Sequence, residues 1–133
     1  MQKIVIDTNI IISAFISPNG IPAKIIDFIT LNKQFQICYN ADILAEYEEV
    51  LTRQKFDKYN FSHDKVENFI RKLEMAGLVI EPSTSSVSLP DESDRIFYDT
   101  AKASGATLLT GNTKHYPDED FIVIPAVFFA QQM

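Results

Sequence analysis

The spacing of short apolar runs constrains this chain more than any other feature. IVI (residues 4–6), FQICY (35–39), LVIE (78–81), ATLLT (106–110) and FIVI (121–124) each read as a strand, with helical patterns between them. The β-branched run at 4–6 shows no polar alternation, which is the pattern of a strand covered on both faces. Strands separated by helices imply crossover connections, hence a parallel sheet with helices on each face. Right-handed crossovers and a doubly wound order follow. In sheets of this kind the working site lies beyond the carboxyl ends of the strands.

The punctuation between the runs supports this reading. Thr8 or Asn9 suits the cap of a short helix ending at Phe15, and SPNGIP then breaks the chain. Pro22 fits the first turn of a helix over 22–33. Asn40 is a good cap for a helix over 41–53. Ser62 caps a further helix over 63–76, which Gly77 ends. PSTSSVSLP (82–90) reads as a polar loop, 91–104 as a helix stopped by Gly105, and 126–133 as a closing helix. No repeat and no long linker divides the chain, so a single domain over 1–133 is expected.

Composition narrows the function classes. A 133-residue chain that is 46% apolar, with four Gly and six Pro, has the makeup of an ordinary globular protein. No apolar stretch reaches the length of a membrane span. The IVI run meets Asp7 without an extended apolar region, so no secretory leader is expected. Cys38 is the lone cysteine, which excludes an internal disulfide and suits a cytoplasmic location; within FQICY it reads as a buried thiol. The net charge of −6 makes the chain a poor generic binder of nucleic acid. Any work on phosphate must then rest on a local site, with or without metal. Arg53, Lys55, Lys58, Lys65, Arg71 and Lys72 read mostly as a solvated helical surface.

Three groups of carboxylates stand out. Asp7 ends the first strand, and local sequence leaves it open between a helix cap and a site acid. Asp94 heads the stripe formed with Phe97, Tyr98 and Ala101, the face expected to lie on the sheet. A carboxylate on a buried stripe needs a partner or a cation. Asp99 falls on the far side of that helix. In ILAEYEEVLTR the apolar stripe is Ile43, Leu44, Tyr47, Val50 and Leu51; Glu46 and Glu48 flank its two edges and Glu49 faces away. Periodicity does not choose between Glu46 and Glu48.

IVIDTN, AEYEEVLTRQKF and DESDRIFYDTAKASGATLLTGNTKHYP, in that order, resemble PIN-domain nucleases, and most of all the bacterial PIN proteins that are toxin components of toxin–antitoxin systems. The likeness runs from about Ile4 to Phe121. It implies a three-layer α/β/α sandwich with a five-stranded parallel sheet. By position, the family's first Asp falls on Asp7, its helix Glu on Glu46 and its next Asp on Asp94. Many members carry an acid where this chain has Asn112, whose carbonyl offers an oxygen without charge. A second acid is common near His115, which reads here as a loop residue. Three like charges in one cleft call for a cation, and hard oxygen ligands suit Mg²⁺ or Mn²⁺.

The resemblance thus implies a metal-dependent ribonuclease, with Asp7, Glu46 and Asp94 as metal ligands and Asn112 assisting. Thr8 would support Asp7 or a metal-bound water, and Arg53 and Lys55 would contact phosphate. An RNA substrate, a small antitoxin and a homodimer are the implied partners, with no membrane. The alternatives are a PIN fold that binds RNA without cutting it, and a receiver-like signalling domain. The receiver needs an acceptor Asp just after its third strand, where LVIEPSTSS offers only Glu81. A phosphatase with an aspartyl nucleophile would want a second Asp where Asn9 stands.

Overall fold

The computed structural model describes residues 1–53, 59 and 62–133. Lys55 and Lys58 lie outside the described residues. The strands are β1 (Gln2–Ile6), β2 (Phe35–Tyr39), β3 (Leu78–Val79), β4 (Thr107–Leu109) and β5 (Ile122–Val123), and the described helices are α1 (Thr8–Ile16), α2 (Ile21–Leu31), α3 (Ala41–Leu51), α4 (His63–Ala76), α5 (Arg95–Ser104) and α6 (Pro125–Gln132). They form a three-layer α/β/α sandwich around a parallel sheet of order β3-β2-β1-β4-β5. Ile4 is in register with Ile37 on one side and Thr107 on the other.

This order fixes where a site can lie. The chain steps outward from β1 to β2 to β3, then returns to the other side of β1 for β4. Right-handed crossovers therefore place α5 on the face opposite α1 and α2, and α5 packs along β1, β2 and β4. The reversal between β1 and β4 is the topological switch point, where the ends of the two strands open a crevice. A receiver-like fold is excluded by the same observation, because its order would put the third strand beside the first.

β1 sits at the centre because Ile4, Val5 and Ile6 are almost wholly buried. Each such side chain contributes roughly 1.5–3 kcal/mol relative to exposure. Gly105 closes α5 at φ +72°, a left-handed conformation that glycine adopts without strain. Among the described residues no single helix is long and apolar enough to cross a membrane.

Two expectations change locally. The helix expected over 91–104 begins as a 3₁₀ turn, Glu92–Asp94, and becomes α-helical only at Arg95. Asp99, expected on the far side of that helix, is buried. Its Oδ2 accepts from the Ser85 backbone N–H at 3.1 Å. Helical periodicity reports only the face laid on the sheet, and here the loop over 82–90 covers the other face. Arg95 straps that loop down, donating to the carbonyls of Ser85 at 2.9 Å and Val87 at 2.6 Å.

Candidate metal centre

Asp7 is the N-cap of α1, in place of the expected Thr8 or Asn9, and it is buried at the switch point. Its carboxylate is also held from β4. Oδ1 accepts from the Thr8 N–H at 2.7 Å, while Oδ2 accepts from Thr110 Oγ1 and from the Tyr116 hydroxyl, both at 2.8 Å. Asp7 is therefore the helix cap and, at the same time, the acceptor of two hydroxyls from the segment after β4.

Thr110 is a committed donor. Its oxygen accepts from Asn9 Nδ2 at 3.3 Å and from the Asn112 N–H at 3.0 Å, which leaves its single proton for Asp7. Asn9 also accepts from the Gly111 N–H at 3.0 Å. A Cβ at Gly111 would stand 3.3 Å from Asn9 Oδ1, so glycine allows this close approach. Thr8 is buried with its hydroxyl oxygen unpartnered, one of the two buried side-chain polar atoms so left among the described residues.

Asp94 stands at the N-cap position of α5 but makes no capping bond. Its Oδ2 instead lies 3.1 Å from His115 Nδ1. Burial, then the charge of Asp7, pushes the Asp94 carboxyl up to about 6, against the opposing pull of His115. Glu46 is half-buried on α3. Its carboxyl is also raised, by burial first, then by Glu49, with Asp7 and Asp91 adding to it and Arg53 opposing. Glu48 is exposed and faces the other way, onto a cleft shared with Thr52, Glu67 and Arg71. Tertiary geometry separates the two: Glu46 is half-buried, with Asp7 among the charges that act on it, and Glu48 lines the α3–α4 cleft.

Tyr47, beside Glu46, is fully buried and donates its hydroxyl to the Ile6 carbonyl at the end of β1. Burial and the Asp7 charge hold its phenol well above the ordinary range. Tyr116 is raised in the same direction by burial, then by Asp7 and Asp94. The Asp7 charge thus contributes to raising Glu46, Tyr47, Asp94 and Tyr116, and Tyr116 bonds to it directly.

The donor set fits a hard cation that retains water. Both lone pairs of Asp7 Oδ2 are used by hydroxyl donors, and one remains on Oδ1 after the Thr8 bond. Asp94 Oδ1 and the Glu46 carboxylate receive no hydrogen bond from a described residue. Among the described residues no three of His, Cys, Asp and Glu gather closely enough to enclose an ion. A closed protein cage is therefore absent from that set, whereas Mg²⁺ needs only one or two carboxylates and keeps several waters.

The remaining expected residues are dispersed. Asn112 is exposed at the edge of this group and caps the turn Thr113–His115 without a side-chain bond. Arg53 is exposed and pairs with Glu49 at 3.4 Å. Thr110, Tyr116, His115 and Asp91 were not singled out as site residues by sequence reasoning. Thr110 had a usable signal, since it directly follows β4 at the switch point. Tyr116 had none, because a tyrosine in a loop reads as packing.

The doubly wound sheet has buried Asp7 at its switch point, and β1 is followed by no glycine-rich turn of the kind that cradles a nucleotide. The family model for the PIN domain matches residues 3–114, and the chain belongs to that family. It is 34% identical over 110 residues to an uncharacterized protein of Methanocaldococcus jannaschii, covering 83% of this chain and 70% of that one. A chain of the VapBC2 structure from Rickettsia felis, solved bound to a DNA fragment from their promoter, shares the fold with a TM-score of 0.60. That match covers 92% of this chain and 97% of the other at 17% identity.

Proposed function

We propose that this protein is a metal-dependent ribonuclease, the toxin component of a toxin–antitoxin system, working as a single PIN-like domain in the cytoplasm. PIN domains are in general nucleases that use divalent metals. The observation that carries the reading for this chain is the placing of buried Asp7 and half-buried Asp94 together at the switch point. Asp94 is raised to about 6 by burial and then by Asp7, and Glu46 is raised by burial and then by Glu49, with a smaller part from Asp7. Acids that destabilise one another in the absence of a cation are arranged to receive one.

In this reading Asp7, Glu46 and Asp94 would hold Mg²⁺ or Mn²⁺, in part through waters that the ion retains, and the Asn112 carbonyl would assist. The chemistry supplied by such an ion, once bound, is activation of a water and stabilisation of charge at the leaving oxygen of a phosphodiester. The chain's own residues do the positioning. Thr110, Tyr116 and the Thr8 N–H fix Asp7, while the Thr8 hydroxyl is available to a water. Arg53 and Lys55 contact phosphate. The net charge of −6 then restricts RNA binding to the neighbourhood of the bound cation. A small antitoxin binds the toxin, which is a homodimer.

A second reading, RNA binding without cleavage, is favoured by one observation: exposed, neutral Asn112 stands where many members carry an acid. Purified protein stripped of any partner separates the two. Cleavage of mixed RNA with Mn²⁺ or Mg²⁺, lost on chelation, is expected. RNA bound but left intact with both metals would establish the second reading instead.

A further inference from the structure

Three and four residues beyond Asn112, two side chains reach back to carboxylates of the site. His115 and Tyr116 are adjacent in the chain, at the end of the turn that begins at Asn112, and each reaches a different carboxylate. His115 Nδ1 lies 3.1 Å from Asp94 Oδ2, and the Tyr116 hydroxyl lies 2.8 Å from Asp7 Oδ2. The turn is itself held to β4, since the Asn112 N–H bonds to Thr110 and the His115 N–H to the Asn112 carbonyl at 3.0 Å. Tyr116 is buried, so its ring is fixed by packing rather than swinging in solvent. The His115 side chain is 45% exposed, against 14% for Asp94, so the imidazole covers the acid from the solvent side.

We propose that His115 and Tyr116 are a pair of positioning residues that orient Asp94 and Asp7 for the cation, without binding it themselves. The proposal rests on the reading of these two acids as metal ligands. Chain adjacency is the device: one rigid turn sets the orientation of two carboxylates that come from different elements. With Asp7 Oδ2 saturated by Thr110 and Tyr116, Oδ1 is the oxygen with which Asp7 would hold a cation. With Asp94 Oδ2 accepting from Nδ1, which then carries the imidazole proton, Oδ1 is its oxygen free of hydrogen bonds. Donors in this corner also leave the site with less negative charge than a fourth acid would.

Titration of the purified protein with Mn²⁺, followed by calorimetry and by electron paramagnetic resonance, tests this. Partners that orient ligands typically carry 10–100-fold in metal affinity. His115→Ala and Tyr116→Phe are each expected to weaken Mn²⁺ binding by about 10-fold. His115→Asn, whose amide N–H stands near the place of Nδ1, is expected to recover most of the loss. His63→Ala, on exposed α4 where His63 pairs with Glu67, is expected to bind as wild type. Tyr116→Phe alters no shape, so its result stands even where His115→Ala disturbs the turn. The Mn²⁺ spin-echo spectrum is expected to show no directly coordinated nitrogen. A coordinated imidazole nitrogen, or failure of His115→Asn to recover affinity, would make His115 a ligand and overturn the proposal. Wild-type affinity in both His115→Ala and Tyr116→Phe would overturn it while leaving the metal reading intact. A wild type that takes up no Mn²⁺ would end both.

Discussion

Neutralising Asp94 tests the electrostatic core of the site through stability alone. Its carboxyl is raised from 3.8 to about 6, first by burial and then by Asp7. For an acid raised by folding, the stabilising contribution is complete below the unfolded value and is lost as pH rises through about 6. At pH 7.5 the metal-free wild type therefore carries an ionised Asp94 at a cost of about 3 kcal/mol. Solvent screening at the open side of the site reduces this to about 2 kcal/mol. Asp94→Asn removes the charge, is nearly isosteric and keeps an oxygen for His115 Nδ1. We expect the variant, in chelator at pH 7.5, to be more stable by about 1–2 kcal/mol, a rise in Tm of roughly 4–8 °C. The gap should shrink to about half by pH 5 and close only near pH 3.8, where the unfolded chain also takes up the proton. Added Mn²⁺ should reverse the order at pH 7.5, because saturation at 100 times Kd adds about 2.7 kcal/mol to the form that binds it. Thermal melts across pH, with chelator and then with metal, read all three. A variant less stable than wild type at pH 7.5 in chelator, or a gap unchanged at pH 5, would overturn the argument.

Glu46→Gln should suppress RNA cleavage and Mn²⁺ affinity far more than Glu48→Gln, since Glu46 shares the field of Asp7 and Glu48 lines the α3–α4 cleft; equal losses in a cleavage assay would remove Glu46 from the site. Tyr47→Phe strands the buried Ile6 carbonyl and should cost about 1–2 kcal/mol in a denaturant melt. The same variant should leave the stabilisation by Mn²⁺ unchanged. Gly105→Ala meets no atom within 4 Å but must hold φ +72°, so backbone strain alone should cost about 1 kcal/mol. No loss of Tm in that variant would mean that the α5 terminus relaxes.

The five runs separated by helical patterns were enough to reach a parallel α/β sandwich, because a strand buried on both faces and a crossover helix each leave a periodic trace. Caps at Asn40 and Ser62 and the stop at Gly105 were equally legible, since each satisfies backbone groups from its own neighbours. The 3₁₀ start before α5 was not. The turn Glu92–Asp94 differs from an α-helix by a backbone twist that the same acidic residues accommodate either way. The burial of Asp99 was hidden for a different reason: it depends on a loop that Arg95 ties down, and loop placement has no period.

Local order in the chain determined which residues end strands and head helices, and so brought Asp7 and Asp94 to the carboxyl edge of the sheet. Resemblance of the ordered motifs marked Glu46, where helical spacing alone left it level with Glu48. Only the tertiary structure decided how those acids are held. Thr110 and Tyr116 are more than a hundred residues from Asp7 along the chain, yet both donate to its Oδ2. His115 reaches Asp94 from the turn after β4, across the crevice made by the strand reversal. Hydrogen bonds of this kind act over about 3 Å of space and leave no trace in sequence spacing. Periodicity can place a carboxylate at a sheet edge, but the donors that aim it are chosen by which loops fold back onto that edge.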